Sequence, residues 1–340
     1  MDEKTNRRLV ILLSTPVTPL QIIVGKMLPY VLFSLAGVLA ISWLGHGDSL
    51  LALAIFTPVI LFIFGIYLIV PMLYRTFKDT TFISMLATAV TTVYLILPAM
   101  FSGLSDLAYM SPITLAVKMY RAESFGVKEY LFATLPLALI FGLALYVSTR
   151  VLNEEYLMGF RPIHRKLADA VYLILNRDHP YLSIFALSIL FIPLVYVVQL
   201  VVLAISLSLP LRLALVSTLL TAAAIEEVAK SVGIFVLYEH GFVHSLRQVL
   251  ALSFLSALGF LIAEKGLLLV SLGIVSQSSL SQAIFDSGSL PLPLAAHFVF
   301  TSIVCLLATR LRFRYAYPVA LLAATLVHSL YNYLILGGLH

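Results

Sequence analysis

The chain alternates long apolar runs with short segments that hold most of its charged residues. A helix needs about 18 to 20 apolar residues to cross a hydrocarbon core of about 30 Å. Runs of that length predict nine membrane-spanning helices, near residues 27–44, 50–73, 82–101, 130–149, 182–208, 211–238, 249–272, 292–309 and 316–336. We therefore predict an all-α fold, a polytopic membrane bundle of about nine transmembrane helices arranged as four and then five.

The composition narrows the class of protein. Of 340 residues, 61% are apolar and 11% are charged, and the mean hydropathy is +1.05. So little polar surface cannot solvate a globule of this size, which excludes a soluble enzyme and predicts a multi-pass protein of the cell membrane. The single cysteine, Cys305, excludes a disulfide framework or a thiolate metal cluster within one chain.

The basic residues predict the orientation of the bundle. With the N-terminus in the cytoplasm, fifteen of the 21 lysines and arginines lie inside and four outside, while Lys230 and Lys265 fall within spans. Cytoplasmic loops are enriched in these residues. We therefore expect a cytoplasmic N-terminus and an extracytoplasmic C-terminus. The net charge of +5 then reflects the cytoplasmic loops and indicates no nucleic-acid partner.

A polar break separates the first four spans from the last five. It runs from about residue 153 to residue 180 and contains charges of both signs. Such a stretch is typical of a boundary between two membrane domains, and its segment 165–175 suits a short interfacial helix. We predict an N-terminal domain over residues 1–155, a cytoplasmic linker over 156–181 and a C-terminal domain over 182–340.

Ionisable residues within the spans occur only in the last five. Each costs roughly 2.5–3.5 kcal/mol at a helix centre and persists only when it is partnered or used. These residues are Glu226, Glu227, Lys230, Glu264, Lys265, His297 and His328, with Asn332 one turn beyond the last. At about 1.5 Å per residue, four of them lie about 18 to 22 Å from the cytoplasmic end of their helices. We therefore expect Glu226, Glu264, His297 and His328 to meet at one level.

Carboxylates and imidazoles in a dry cavity suit two kinds of hydrolysis. In one, a carboxylate takes a proton from water while a histidine or a cation holds the oxyanion. In the other, the same residue types bind a catalytic metal ion such as zinc and leave one position open for water. The residue types do not separate the two. In either case Lys230 would orient the glutamate pair, and Asn332 would hold His328 or receive the oxyanion.

Four ordered motifs resemble those of PrsW-type intramembrane proteases. Residues 226–230, Glu-Glu-Val-Ala-Lys, resemble the EExxK motif, and residues 260–264, Phe-Leu-Ile-Ala-Glu, resemble FxxxE. His297 follows, and residues 328–332, His-Ser-Leu-Tyr-Asn, resemble the closing HxxxN element. The resemblance covers about residues 182–340. Lys265, directly after the second motif, departs from the uncharged polar residue expected there.

This resemblance implies a peptidase that cuts a membrane-embedded or membrane-proximal peptide bond. The implied catalytic residues are Glu226, Glu227, Glu264, His297 and His328, with Lys230 and Asn332 in support. If a metal ion is bound, zinc is the expected ion, and the expected ligands are Glu227, Glu264, His297 and His328. The expected partners are the lipid bilayer and a membrane protein or peptide substrate.

The N-terminal half resembles part of a type-2 ABC exporter permease. The resemblance rests on residues 9–30, 109–117 and 153–156. It implies a separate ATPase chain, because the sequence has no G-x-x-x-x-G-K-[ST] phosphate loop. Two alternatives to a peptidase therefore stand: a permease subunit that works with an ATPase, and a non-catalytic membrane receptor or chaperone.

Overall fold

The structure is a computed structural model, and it describes residues 15–73, 77–102, 106–153, 156, 162–206, 208–275, 290–311 and 315–337. Within these ranges the chain is helical, with short connections and no strand, which confirms the predicted all-α fold. The chain divides into two compact units, Met1–Ile174 and Leu175–His340. Each predicted span is found as one long helix.

Among its described residues, the first unit contains four long α-helices, two short α-helices and a 3-10 helix at Asp106–Met110. Its helices are α1 (Pro19–Leu44), α2 (Ser49–Leu73), α3 (Phe77–Met100), α4 (Pro112–Tyr120), α5 (Val127–Val151) and α6 (Ile163–Ile174). The core lies where α2, α4 and α5 meet, at Ala52, Ile55, Leu115 and Ala133. Ser111 caps the buried start of α4. Its hydroxyl accepts the N–H of Ile113, which has no partner within the helix, and donates to the carbonyl oxygen of Leu95.

The start of α1 differs from the predicted start at residue 27. Thr18 caps the helix: its hydroxyl accepts the Gln21 N–H at 3.3 Å, and the Gln21 side chain accepts the Thr18 N–H at 2.9 Å. This reciprocal capping box, with Pro19 in the first turn, begins the helix eight residues earlier. The predicted span began after Lys26 because a charged residue ends an apolar run. A single exposed lysine, however, does not interrupt a helix.

The segment predicted as a linker holds α6, close to the short helix expected at 165–175. Ala170 packs in a hydrophobic core with Ile22, Met72 and Val151. The ammonium of Lys166, which is 2% exposed, donates to the carbonyl oxygen of Met72 at 3.5 Å. These contacts make α6 part of the first unit.

In the part of the chain that the structure describes, the second unit is a bundle of five long helices. They are α7 (Pro180–Ser206), α8 (Leu211–Glu239), α9 (Leu246–Val275), α10 (Pro291–Arg310) and α11 (Ala316–Gly337). Helix α8 packs against all four of the others, which places its side chains at the centre of the unit.

Of the nine long helices found in the described ranges, eight are long and apolar enough to cross a membrane. The exception is α8, because every 18-residue stretch of it contains at least three charged residues, among them Glu226 and Glu227. At 29 residues it is long enough to span. Two of its charged residues are turned into the bundle, since Glu227 and Lys230 are at most 1% exposed.

Small residues allow the helices around α8 to approach closely. A Cβ atom on Gly259 of α9 would lie 2.5 Å from the carbonyl oxygen of Phe185 on α7, so only glycine fits there. Beside this contact the hydroxyls of Ser188 and Ser256 lie 2.8 Å apart, and Ser256 donates to the carbonyl oxygen of Lys230 at 2.7 Å. These contacts fix α7, α8 and α9 around the middle of the bundle.

Candidate active site

Helix α8 contributes two carboxylates and one ammonium. Lys230 Nζ lies 2.5 Å from Glu227 Oε1 and 3.8 Å from Glu226 Oε2, as the i,i+3 and i,i+4 spacings allow. The ammonium also faces the ring of Phe260 on α9, 4.9 Å from its centroid. Because Glu227 and Lys230 are buried together, each compensates the desolvation of the other.

His328 on α11 lies between the two carboxylates of α8. Its Nδ1 is 2.9 Å from Glu227 Oε1, and its Nε2 is 3.8 Å from Glu226 Oε2. A buried carboxylate accepts, so Nδ1 carries the proton and Nε2 keeps the lone pair that points towards Glu226. The ring is held by stacking on Phe300 at 4.6 Å between centroids. Thr301 adds a donor to Glu227 Oε2 at 3.5 Å.

His297 on α10 is held from two sides. Its Nδ1 lies 3.1 Å from Lys230 Nζ, and its Nε2 lies 3.1 Å from Glu264 Oε2 on α9. An ammonium only donates, so Nδ1 accepts and Nε2 donates to Glu264. The other oxygen of Glu264 lies 3.4 Å from Lys265 Nζ. The side chain of Glu264 is 37% exposed against 0% for Glu227, which makes it the more accessible carboxylate.

Three of these residues have the arrangement of a metal site. Glu226, His297 and His328 each offer one ligand atom, and the three atoms all lie within 4.8 Å of one another. One carboxylate and two imidazoles form a known ligand set of catalytic zinc. Metal-bound histidines commonly donate their second N–H to a carboxylate. His328 makes such a bond with Glu227, which leaves its Nε2 for the metal ion, and His297 makes one with Glu264. The Nδ1 of His297 accepts from Lys230 in this structure and would exchange the ammonium for the metal ion. The residues therefore fit a catalytic metal ion.

The structure brings together the ionisable side chains that the sequence singled out, but not Asn332, and the group spaced to bind a metal ion differs from the one predicted. The group with ligand spacing contains Glu226, whereas the sequence analysis had Glu227 and Glu264 beside the two histidines. Among the described residues the partner of His328 Nδ1 is Glu227, and no hydrogen bond joins His328 to Asn332. The ligand and catalytic roles remain predictions.

Sequence reasoning missed one residue that touches this cluster. Gln199 on α7 donates from Nε2 to Glu226 Oε1 at 3.0 Å. It was passed over because the search considered ionisable residues and glutamine is neutral. The available signal was a single amide within the apolar run Val197–Val201.

Membrane-length helices around a buried cluster of carboxylates and imidazoles define a class of protein, the polytopic membrane proteins with an intramembrane hydrolytic site. Residues 180–339 match the model of a family described as PrsW family intramembrane metalloprotease. The match covers almost all of the second unit and no part of the first. The chain therefore carries a PrsW family domain, and it is an intramembrane peptidase and a multi-pass membrane protein.

This match confirms the resemblance on which the C-terminal prediction rested. It also favours the metal-assisted mode of hydrolysis, since the family is described as metalloproteases. Neither the curated proteins nor the solved structures give a significant match to this chain. No comparison bears on the permease-like half, which stays a prediction.

Proposed function

We propose that Glu226, His297 and His328 hold a catalytic zinc ion with which the second unit hydrolyses a peptide bond of a membrane-embedded or membrane-proximal substrate. The observation that carries this proposal is the spacing of three ligand atoms, from three different helices, within 4.8 Å of one another. Bound zinc would polarise the scissile carbonyl and lower the pKa of its water to about 7.

Glu227 acts as a positioning residue in this proposal. It accepts the Nδ1 hydrogen of His328, which fixes the tautomer and directs Nε2 towards Glu226. Lys230 balances the charge of Glu227 at 2.5 Å. Since both are buried, the pair remains ordered while the rest of the site exchanges water and substrate.

Glu264 acts as the general base. Its Oε2 is oriented by His297, and its side chain is the most exposed of the three carboxylates in the cluster. It takes a proton from the attacking water as the oxygen–carbon bond forms. It then delivers that proton to the leaving nitrogen as the carbon–nitrogen bond breaks. Water is consumed, and one carboxyl and one amine terminus are produced.

Metal content tests the proposed ligand set. Purified wild type should contain about one zinc ion per chain, and the variant with both His297→Ala and His328→Ala should contain almost none. The matched control is His244→Ala, which removes an exposed histidine from the loop before α9 and should leave the zinc content unchanged. Equal metal content in wild type and the double variant would overturn the proposal.

For the N-terminal domain, residues 1–155, we propose a permease-like role with a separate ATPase chain. Support comes from the sequence resemblance and from four long helices with the short helix α4, which begins at Pro112 within the resembling segment 109–117. Residues 9–14 and 154–155 of the other two segments lie outside the described residues. Purification from native membranes tests this proposal: an ATPase should co-purify in stoichiometric amount, and its absence would contradict the role.

A further inference from the structure

Helix α7 carries no ionisable residue within its span but directs one amide at the site. Gln199 is half-buried, and its Nε2 donates to Glu226 Oε1 at 3.0 Å. An amide that leaves water for an apolar environment loses free energy unless it is hydrogen-bonded. The bond to Glu226 supplies that compensation, and it connects α7 to the charged face of α8.

This bond gives the two oxygens of Glu226 different surroundings. Oε1 accepts from Gln199, while Oε2 lies 3.8 Å from His328 Nε2 and 3.8 Å from Lys230 Nζ. Oε2 is therefore the oxygen that faces the other groups of the site. A partial rotation of the carboxylate, short of the half-turn that exchanges its two equivalent oxygens, would lengthen the bond to Gln199.

Glu226 has fewer contacts to hold its carboxylate than the neighbouring Glu227 has, so it depends on the bond to Gln199. The carboxylate of Glu227 is 0% exposed and is held by Lys230, Thr301 and His328. The side chain of Glu226 is 18% exposed, and its closest polar contact among the described residues is Gln199. Packing therefore restricts Glu226 less, and a hydrogen bond has to set its side-chain rotation.

We propose that Gln199 is a positioning residue of the peptidase, which holds Glu226 through Oε1 so that Oε2 is presented to the metal ion. The inference rests on the proposed function, because it takes Glu226 as a ligand. Partners that orient a ligand typically change metal affinity by 10- to 100-fold when they are removed. Gln199 is such a partner, and it is supplied by α7, a helix that provides no ligand of its own.

Two substitutions of Gln199 test the inference in the full-length chain purified in detergent. Gln199→Met keeps the length of the side chain but removes the donor. Gln199→Asn keeps the amide but shortens it by one methylene, so it does not reach Oε1. The zinc dissociation constant, measured by competition with a chelating dye, should rise about 10- to 100-fold for Gln199→Met. It should also rise, by a smaller factor, for Gln199→Asn, which carries the test if the methionine variant does not fold.

Ser206→Ala is the matched control. It removes the contact between the hydroxyls of Ser206 and Ser217, 3.3 Å apart, which joins the same two helices about two turns beyond Gln199. Its zinc affinity should equal that of wild type. The thermal stability of the metal-free Ser206→Ala and Gln199→Met proteins should be similar, because each loses one hydrogen bond between α7 and α8. A purely structural role would change stability and leave the zinc dissociation constant unaltered.

The coupling between Gln199 and Glu226 gives the sharpest outcome. If Gln199 acts through Glu226, then Gln199→Met has no further effect on zinc affinity when Glu226 is already replaced by glutamine. A dissociation constant within twofold of wild type in both Gln199 variants overturns the inference alone, provided that His328→Ala loses its zinc. Failure of the wild-type protein to bind zinc overturns the proposed function and the inference together.

Discussion

Glu227 accepts a hydrogen bond from His328 at 2.9 Å, although the two residues are 101 positions apart in the sequence and lie on different helices. The same carboxylate oxygen lies 2.5 Å from Lys230 Nζ. One buried oxygen of Glu227 therefore has two functions: it orients His328, and it balances the charge of Lys230 on α8. Several measurable consequences follow from this arrangement.

Replacing Glu227 should damage both stability and metal binding. Glu227→Gln removes the closest counter-charge of the buried Lys230 and leaves only the carboxylate of Glu226, at 3.8 Å, which should lower the free energy of unfolding by up to about 3–5 kcal/mol. Reversible unfolding in mixed micelles measures this change. The double variant Glu227→Met/Lys230→Met removes both charges and the acceptor of the His328 Nδ1 hydrogen, so it should recover much of the stability but not the zinc affinity. Full recovery of zinc affinity would contradict the role of Glu227 in orienting His328.

Replacing Glu264 should separate catalysis from metal binding. Glu264→Gln still accepts a hydrogen bond from His297 Nε2 but cannot take a proton from water. We expect zinc content equal to wild type and a kcat about 10²- to 10⁴-fold lower. Cleavage of transmembrane model peptides in liposomes, followed by mass spectrometry, measures the rate. A rate within tenfold of wild type would show that another group is the base.

Removal of the metal ion should abolish cleavage reversibly. Treatment with 1,10-phenanthroline should stop hydrolysis of the same peptides, and added zinc should restore it, because the ligands in the site remain intact. The isomer 1,7-phenanthroline, a poor chelator, is the control for effects of the compound on the detergent or lipid. Undiminished cleavage after verified loss of metal would leave a mechanism that depends on carboxylates alone.

The contact between α7 and α9 can be tested without touching the site. A Cβ on Gly259 would meet the carbonyl oxygen of Phe185 at 2.5 Å, so Gly259→Ala must push two helix backbones apart. Overpacking of this kind typically lowers the free energy of unfolding by about 1–3 kcal/mol. Gly266→Ala on the same helix meets nothing within 4 Å and should be neutral or stabilising. Equal stability of the two variants in thermal unfolding would show that the close approach is not required.

The helices could be predicted from the sequence because a hydrocarbon core imposes their length and polarity. The start of α1 could not, since it depends on side-chain caps at Thr18 and Gln21 rather than on hydropathy. The packing of α6 against the first unit could not be predicted from hydropathy either. Its polar surface indicated a linker, while its buried Ala170 and Lys166 belong to the first unit.

The clustering of the ionisable side chains could also be predicted from the sequence, because charged residues buried in a membrane must contact each other. The division of roles between Glu226 and Glu227 was not. Adjacent residues point about 100° apart around a helix, and the rotation of α8 is set by packing that hydropathy does not report. Gln199 could not be predicted for a different reason. It contributes a hydrogen bond from a neutral amide, and that bond depends on how α7 and α8 pack against each other.

The ion pair within α8 also bears on how the bundle is made. During synthesis α8 emerges well before α10 and α11, so Glu227 must enter the membrane about a hundred residues before His328 exists. Lys230, three positions away on the same helix, is available from the beginning. The helix thus carries its own counter-charge into the lipid, and the proposed metal site is completed only when the histidine-bearing helices arrive. A peptidase assembled in this order has no competent site while it is still being inserted.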